Sequence, residues 1–248
     1  MSHVFVSDLT AAVAGSHITL DSDESHHAVR VRRVRIGEQV ELVDGLGTRA
    51  TGTVSSVGKS ECAIEVGGVA NEPSLTPRLT VVQALVKRDR SDQAMELLTE
   101  AGVDTVVPWA AARSQSSDIP AKWPRIATES SKQSRRARFP VIAPAHSTTA
   151  VGGLIAETVA AGGLALLCHE SARTPIADVI SASGALSEVV IVVGPEGGLT
   201  DEELAAFTDA GAQPVIMGPS VMRAATAGAA AACIVSALTN RWRGGSPR

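Results

Sequence analysis

The sequence predicts an α/β protein with a β-rich N-terminal domain over residues 1–72 and a parallel α/β domain over residues 73–248. Short strand patterns around an Asp44-Gly45 turn dominate the first part. Apolar strand patterns alternate with helical patterns in the second part, which is the order typical of a parallel sheet. Between them, residues 67–78 are rich in turn-forming residues and lack periodicity, which is typical of a linker.

The N-terminal domain is expected to contain three consecutive strands and one short basic helix. The stretch "EQVELVDGLGTRATGTV" reads as two strands joined by the turn, and "SECAIEV" alternates as a third strand. The helix is expected in "DESHHAVRVRR", where Ser22 is able to cap its start. At α-helical spacing His26, Arg30 and Arg33 share a face, which suits docking on a nucleic acid.

The second domain is expected to form a parallel sheet from "RLTVVQALV", "VDTVVPW", "GLALLCHE", "EVVIVVG" and "QPVIMG". A helix over "WPRIATESSKQSRRAR" is expected to begin near Pro124 and to place Glu129, Gln133 and Arg136 on one side. In such a sheet ligands bind at the carboxyl ends of the strands.

The charge distribution points to a polyanionic partner. The net charge is -4, yet half of the 22 basic residues lie in the runs 30–35, 87–90 and 132–138. A single run is more often a solvated face, but three runs together favour a phosphate-binding surface. Because aromatic residues make up only 2% of the chain, contact with nucleic acid would depend little on aromatic stacking.

Composition argues against several classes of protein. The N-terminus "MSHVFVSDLTAAVAG" lacks the basic segment of a signal peptide, and the low-polarity run 224–238 is too short and too rich in Ala for a membrane span. The cysteines are Cys62, Cys168 and Cys233, an odd number, far apart and without a CxxC motif. We therefore expect a cytoplasmic protein with no disulfide framework and no metal site.

The stretch "VVGPEGGLTDEE" (192–203) joins an apolar strand to an acidic helix start. Its glycines allow the backbone to approach a ligand closely. Thr200 and Glu203 fit a capping box, and the acidic first turn makes the helix start unfavourable for phosphate. The loop matches neither the P-loop nor the dinucleotide fingerprint, which argues against a nicotinamide enzyme. By itself the loop is equally well explained as an ordinary strand-to-helix turn.

A second Gly-Pro turn strengthens the functional interpretation. "VGPEGGLTDEEL" followed by "MGPSVMRAATAGAAAA" resembles the SPOUT-type RNA methyltransferases, and within them the RsmE family. The resemblance extends through "SKQSRRARFP", "TEAGVDTVVP" and "HHAVRVRRVRIGEQVELVDG", and so covers nearly the whole chain. Ser220, Ala225 and Lys132 depart from the family pattern, which usually has Arg, Glu and Glu at these positions.

The resemblance implies a PUA-like β-barrel over residues 1–72 and a SPOUT domain with a deep trefoil knot at about residues 165–238. It also implies S-adenosylmethionine (SAM) as methyl donor, a homodimer and no metal. The expected reaction is methylation of N3 of a uridine in 16S ribosomal RNA (rRNA), either free or in the assembled 30S subunit. The alternatives are a SPOUT methyltransferase acting on another RNA position and a non-catalytic RNA-binding protein of the ribosome-assembly type, which would not bind SAM.

The same resemblance, together with the chemistry of uracil, assigns candidate site residues. N3 is a poor nucleophile until it loses its proton, so a fixed cation near O2 or O4 would stabilise the developing charge. Arg223 is the first candidate for this cation, followed by Arg136 and Arg138, while Glu196 and His169 are candidates for a general base. The expected cofactor-binding residues are Cys168, His169, Gly194, Pro195, Glu196, Gly197, Gly198, Met217, Gly218, Pro219, Val221 and Met222. The expected RNA-binding residues are Arg30, Arg32, Arg33, Arg35, Lys87, Arg88, Gln133, Arg136 and Arg138.

Overall fold

The computed structural model describes residues 2–116 and 118–242, except for the side chain of Arg88. Within these residues the chain forms two compact units. The first unit consists of the described part of Met1–Ser74 together with Thr128–Phe139, and the second consists of the described parts of Leu75–Ala127 and Pro140–Arg248. The segment Thr128–Phe139 thus joins the first unit, although it lies within residues that the sequence assigns to the second domain.

A five-stranded sheet forms the centre of the first unit. Its strands are β1 (His3–Val6), β2 (His17–Thr19), β3 (Gln39–Val43), β4 (Thr48–Val57) and β5 (Cys62–Asn71). The order is β1-β3-β4-β5-β2, and β1 pairs with β3 in parallel while the other pairs are antiparallel. The predicted turn between β3 and β4 is confirmed, because the Asp44 carboxylate accepts hydrogen bonds from the backbone N–H groups of Leu46 and Thr48.

The helical segment of the first unit differs from the prediction in two respects. Helix α1 (Ser22–His26) is capped by Asp21, whose side chain accepts from Glu24 N–H, so Ser22 is the first helical residue and not the cap. A π-helix, His27–Arg32, follows directly, and Arg33 ends it in the left-handed conformation at φ 55°. Since a π-helix has wider turns than an α-helix, the expected common face of His26, Arg30 and Arg33 is wrong.

The second unit contains a six-stranded sheet in which all neighbouring pairs are parallel. This confirms the predicted parallel α/β architecture. The strands are β6 (Arg78–Ala84), β7 (Thr105–Trp109), β8 (Val141–Ile142), β9 (Leu164–Cys168), β10 (Glu188–Val193) and β11 (Gln213–Val215), in the order β11-β9-β10-β6-β7-β8. The helices of this unit are α2 (Arg88–Glu100), α4 (Thr148–Ala160), α5 (Ile176–Ala182), α6 (Asp201–Asp209) and α7 (Ala224–Leu238). Helix α3 (Trp123–Gln133) begins in this unit and ends in the first one.

Both faces of this sheet are buried, as parallel sheets require. On one face α2, α5 and α7 contribute Leu98, Ile180 and Ala231 to a single apolar cluster. On the other face α4 and α6 contribute Ile155 and Phe207 to a second cluster. The sheet therefore leaves mainly its strand ends open to ligands.

The chain enters the first unit within α3, at Thr128, and stays in it as far as Phe139. Arg135 takes the left-handed conformation at φ 56°, which breaks the helical path after Gln133. The expectation that Arg136 shares a helix face with Glu129 and Gln133 is therefore wrong. Ala137 then accepts a hydrogen bond from Gly47 N–H at 3.0 Å, so the segment pairs with the β3–β4 turn.

Candidate functional site

A cavity of about 400 Å³ lies in the second unit at the carboxyl ends of β9, β10 and β11. Because these strands are neighbours in the order β11-β9-β10, the loops that follow them meet at one place. The lining comes from residues within 168–170, 193–199 and 215–227. Its volume is within the range of small-molecule sites.

The cavity brings together all of the predicted cofactor-binding residues except Gly197. Gly197 lies against Arg113 instead, because a Cβ atom at this position would be 3.3 Å from the Arg113 Cβ. Several further lining residues were not among the predicted ones. Five of them lie within the two Gly-Pro motifs quoted above, and the other three lie at or just after the ends of β9 and β11. These additional lining residues are Glu170, Val193, Leu199, Val215, Ile216, Ser220, Ala224 and Ala227.

The loop after β10 is a tight turn that leads into a self-capped helix. Gly198 N–H donates to Pro195 O at 2.9 Å, and Gly198 has φ 73°, a conformation that favours glycine. The predicted capping box is confirmed, since Thr200 Oγ1 accepts from Glu203 N–H and Glu203 Oε2 accepts from Thr200 N–H. The start of α6 thus has its own partners, and an anion would have to compete with them.

Arg223 is the only arginine or lysine among the described residues that line the cavity. It is exposed at the N-cap position of α7, and its side chain forms no hydrogen bond or ion pair with any other described residue. An N-cap is normally Ser, Thr, Asp or Asn, and a cation at a helix N-terminus is disfavoured by the helix dipole. Helix stability therefore does not explain an arginine at this position.

Both candidate bases already interact with other residues of the second unit. Glu196 Oε1 lies 2.9 Å from Arg90 Nη1 on α2, so its carboxylate is paired with an arginine. His169 Nδ1 accepts from Ser171 N–H at 3.3 Å, which leaves the proton of a neutral ring on Nε2. Neither group is therefore an obvious proton acceptor in this arrangement.

Cys168 ends β9 and lines the cavity. Burial raises the pKa of its thiol to about 12. The thiol is therefore uncharged at neutral pH and presents a weakly polar surface to a ligand.

Some basic residues of the first unit are exposed, and others are held by hydrogen bonds or ion pairs within the unit. Arg138 donates from Nε to Glu72 O at 3.0 Å and from Nη1 to Leu46 O, so its guanidinium holds the β3–β4 turn. Lys132 belongs to the same basic run, residues 132–138, and is buried beside Glu24. The exposed members of the predicted RNA-binding set in this unit are Arg30, Arg32, Arg33, Arg35 and Gln133.

The remaining candidates are distributed over both units. Arg136 belongs to the first unit, is half-buried and is not among the residues that line the cavity. Lys87 is exposed next to α2 in the second unit, whereas the side chain of Arg88 lies outside the described residues. Assignment of all these residues to RNA remains a prediction.

The part of the chain that the structure describes contains no group of three or more His, Cys, Asp and Glu side chains that could hold a metal ion. Within the same described residues, no helix is long and apolar enough to cross a membrane.

Residues 73–236 match the family model of an RNA methyltransferase domain, and residues 20–67 match that of an RNA methyltransferase PUA domain. The chain is 41% identical over 235 residues to the ribosomal RNA small subunit methyltransferase E of Mycobacterium bovis, with 92% of this chain and 89% of that protein covered. The chain belongs to the ribosomal RNA small subunit methyltransferase E (RsmE) family. The predicted resemblance is thereby confirmed.

Further members of the RsmE family agree with this assignment. The Bacillus subtilis protein is 28% identical over 238 residues, which cover 91% of this chain and 92% of that protein. The crystal structure of the Neisseria gonorrhoeae protein bound to S-adenosyl methionine shares the fold with a TM-score of 0.84. That comparison has 23% sequence identity and covers 96% of this chain and 98% of the other.

The structure also locates Ser220, Ala225 and Lys132, the three residues that are expected to depart from the RsmE pattern. Ser220 lines the cavity, and Ala225 is buried in the first turn of α7. Lys132 is buried in the first unit. The departures therefore occupy three different surroundings, and only Ser220 of the three lines the cavity.

Proposed function

We propose that this protein is a SAM-dependent methyltransferase that methylates N3 of a uridine in 16S rRNA. The main support is the cavity of about 400 Å³ at the ends of three adjacent parallel strands, lined by two Gly-Pro loops, in a chain of the RsmE family. A purely RNA-binding protein would have no use for such a cavity.

The lining residues fit SAM by their chemistry. SAM supplies a methyl group on a positively charged sulfonium. The lining contains two carboxylates, of which Glu196 is paired with Arg90, and Glu170 is the one that would face a cationic ligand. The neutral Cys168 thiol and the self-capped start of α6 offer nothing specific to a phosphate. Backbone groups of the three loops and the side chains of Val221 and Met222 would hold the remainder of the molecule.

Arg223 is the group that would favour the uridine anion. Loss of the N3 proton leaves negative charge on O2 and O4, and a preorganised guanidinium stabilises such charge strongly in a site from which water is excluded. The side chain of Arg223 is available for this role, since it has no partner among the described residues. Glu196 and His169 are less suited as bases because both are engaged. Arg136 remains the second candidate for a contact with the base or a flanking phosphate.

Membership of the RsmE family supports four further features. These are a PUA-like barrel in the first unit, a trefoil knot at about residues 165–238, a homodimeric assembly and a cytoplasmic location. The exposed arginines of the first unit would then bind rRNA backbone, with affinity that falls as salt concentration rises.

Two measurements test this proposal. Nucleosides from 16S rRNA of cells with and without the gene should differ in N3-methyluridine, and mass spectrometry detects the difference. Purified protein, labelled SAM and either free 16S rRNA or 30S subunits then identify the substrate. An unchanged nucleoside profile, combined with no binding of SAM in calorimetry, would favour the non-catalytic RNA-binding alternative. Methylation at another nucleotide would favour the other SPOUT activity.

A further inference from the structure

Arg113, in the loop after β7, holds the backbone of the loop after β10. Its Nη1 donates to Gly197 O at 2.8 Å and to Leu199 O at 3.1 Å. Its aliphatic stem covers Gly197, where a Cβ atom would lie 3.3 Å from the Arg113 Cβ and 3.5 Å from its Cδ. Neither Arg113 nor Gly197 lines the cavity, whereas Gly198 and Leu199 do. Arg113 therefore contacts the loop without itself lining the cavity.

These two hydrogen bonds restrain a segment that would otherwise be mobile. Gly197 and Gly198 are adjacent, and glycine loses more conformational freedom on ordering than any other residue. The loss of backbone entropy therefore opposes a fixed conformation here more than in a segment without glycine. The carbonyl groups bound by Arg113 lie on either side of Gly198, which has the left-handed conformation. Hydrogen bonds from a charged donor are stronger than those from a neutral one, so Arg113 is well suited to oppose this loss.

The position of Arg113 is itself fixed by Glu203. This carboxylate is 3% exposed, and its Oε1 accepts from Ala112 N–H at 2.7 Å. Its Oε2 accepts from Thr200 N–H at 3.0 Å within the capping box. The residue next to Arg113 and the start of α6 thus share one buried carboxylate. The loop after β7 and the loop after β10 form a single hydrogen-bonded unit.

Arg90 contacts the same loop in a weaker manner. It pairs with the side chain of Glu196 at 2.9 Å, and both side chains are partly exposed. An exposed ion pair contributes little, because solvent and salt screen it. Arg113 is exposed as well, but it binds backbone carbonyl groups and not a side chain, so it acts on the loop conformation directly.

We infer that Arg113 is a positioning residue that holds residues 194–199 in the conformation that binds the methyl donor, without contacting the donor itself. The identity of the ligand rests on the proposed function, but the restraint on the loop does not. A preorganised loop binds more tightly because less entropy is lost on binding. Removal of the restraint should weaken SAM binding and leave the rate with saturating SAM nearly unchanged.

Three variants separate the parts of this inference. Arg113→Met keeps an aliphatic stem over Gly197 and removes the donors, and Arg113→Lys keeps a cationic donor. Arg125→Met is the matched control, because Arg125 is exposed on α3 in the second unit and has no hydrogen bond or ion pair with other described residues. The free protein is analysed by amide hydrogen exchange of Gly198 and by urea unfolding, SAM binding by calorimetry, and turnover on 30S subunits by KM and kcat.

For Arg113→Met we expect faster exchange at Gly198, an unfolding midpoint close to that of the wild type, and an increase of about tenfold in Kd and KM for SAM, equivalent to about 1.4 kcal/mol. Arg113→Lys should bring both the exchange rate at Gly198 and the affinity for SAM part of the way back to the wild-type values. In all of these variants kcat should stay within about twofold of the wild type.

Unchanged exchange at Gly198 and an unchanged Kd for SAM would overturn the inference. A fall in kcat alone would instead make Arg113 a catalytic or RNA-contacting residue. If Arg113→Met does not fold, Arg113→Lys and Arg113→Gln provide the same comparison. Failure of the wild type to bind SAM would refute the proposed function, while the exchange data would still decide whether Arg113 restrains the loop.

Discussion

Lys132 Nζ lies 2.6 Å from Glu24 Oε1 and so joins two segments of the first unit that are 108 residues apart in the sequence. The two side chains are only 3% and 13% exposed. The other carboxylate oxygen, Glu24 Oε2, is buried and has no hydrogen-bond partner among the described residues. Breaking such a buried pair leaves an uncompensated charge, which is more destabilising than the pair is stabilising.

Lys132→Met should therefore lower the free energy of unfolding by about 3–5 kcal/mol. Lys132→Glu, which introduces the residue expected from the RsmE pattern, should be at least as harmful because it places two carboxylates together. The reversed pair Lys132→Glu with Glu24→Lys should recover part of the loss. Urea unfolding of the single and double variants measures the coupling, and Lys122→Met on the exposed surface serves as the control. Strictly additive effects would show that the two side chains do not interact energetically.

Arg223→Ala should lower the rate of methyl transfer by about 100-fold or more, since it removes the cation that would stabilise the charge on the reacting base. Binding of SAM and of RNA should remain close to that of the wild type. Arg223→Lys should restore the rate only in part, because an ammonium group lacks the planar fork of a guanidinium. Single-turnover transfer of labelled methyl to small-subunit RNA measures this effect.

Arg173→Ala is a suitable comparison for Arg223→Ala, because Arg173 is exposed in the same unit and does not line the cavity. Its rate should match that of the wild type. A wild-type rate for Arg223→Ala would show that Arg223 is not the catalytic cation. Arg136 would then be the next candidate for that role.

Replacement of Arg30, Arg32 and Arg33 together by Ala should weaken RNA binding and flatten its dependence on salt by about one unit of slope for each phosphate that is no longer neutralised. Arg138→Ala should instead act mainly on stability, because the Arg138 guanidinium already binds the carbonyl groups of Glu72 and Leu46. Filter binding across a salt series and thermal unfolding distinguish the two effects. An unaltered salt slope in the triple variant would contradict a role of the first unit in RNA docking.

Cys168 should react slowly with iodoacetamide up to high pH, because burial raises the pKa of its thiol to about 12 and only the thiolate is nucleophilic. The raised pKa also predicts that its contribution to folding is complete below pH 9.0 and is lost as the pH rises from there towards 12. Peptide mass spectrometry after timed alkylation gives the rate at each pH. The urea-unfolded protein is the reference, and a plateau near pH 9.0 in the folded protein as well would disprove the shift.

Features that depend on neighbouring residues were predictable from the sequence. The parallel sheet follows from apolar strands that alternate with helices, and the cavity loops follow from glycine and proline at the strand ends. The capping box joins Thr200 and Glu203, which are three positions apart, and forms as expected. Asp21 and Ser22 are both suitable caps by type, and the choice between them depends on where the helix packs.

Features that depend on distant partners were not predictable. Arg113 contacts carbonyl groups 84 and 86 residues further along the chain, and nothing in its local sequence indicates this. The strand order that brings β9, β10 and β11 together is likewise a tertiary property. Arg33 and Arg135 have left-handed conformations, which glycine normally adopts. The residue type at these positions therefore did not predict the end of the π-helix or of α3.

The division of the first unit into two stretches of sequence determines when it is complete during synthesis. A nascent chain released as far as Ser74 has all five strands of its sheet, but it lacks Ala137 and Arg138, which bind the β3–β4 turn. It also lacks Lys132, so the charge of Glu24 is without its counter-ion. The ribosome must add 65 more residues, to Phe139, before all parts of this unit are present. By then β6, α2 and β7 of the second unit have already been synthesised. The two units consequently cannot be exchanged as separate gene segments by a single cut between them.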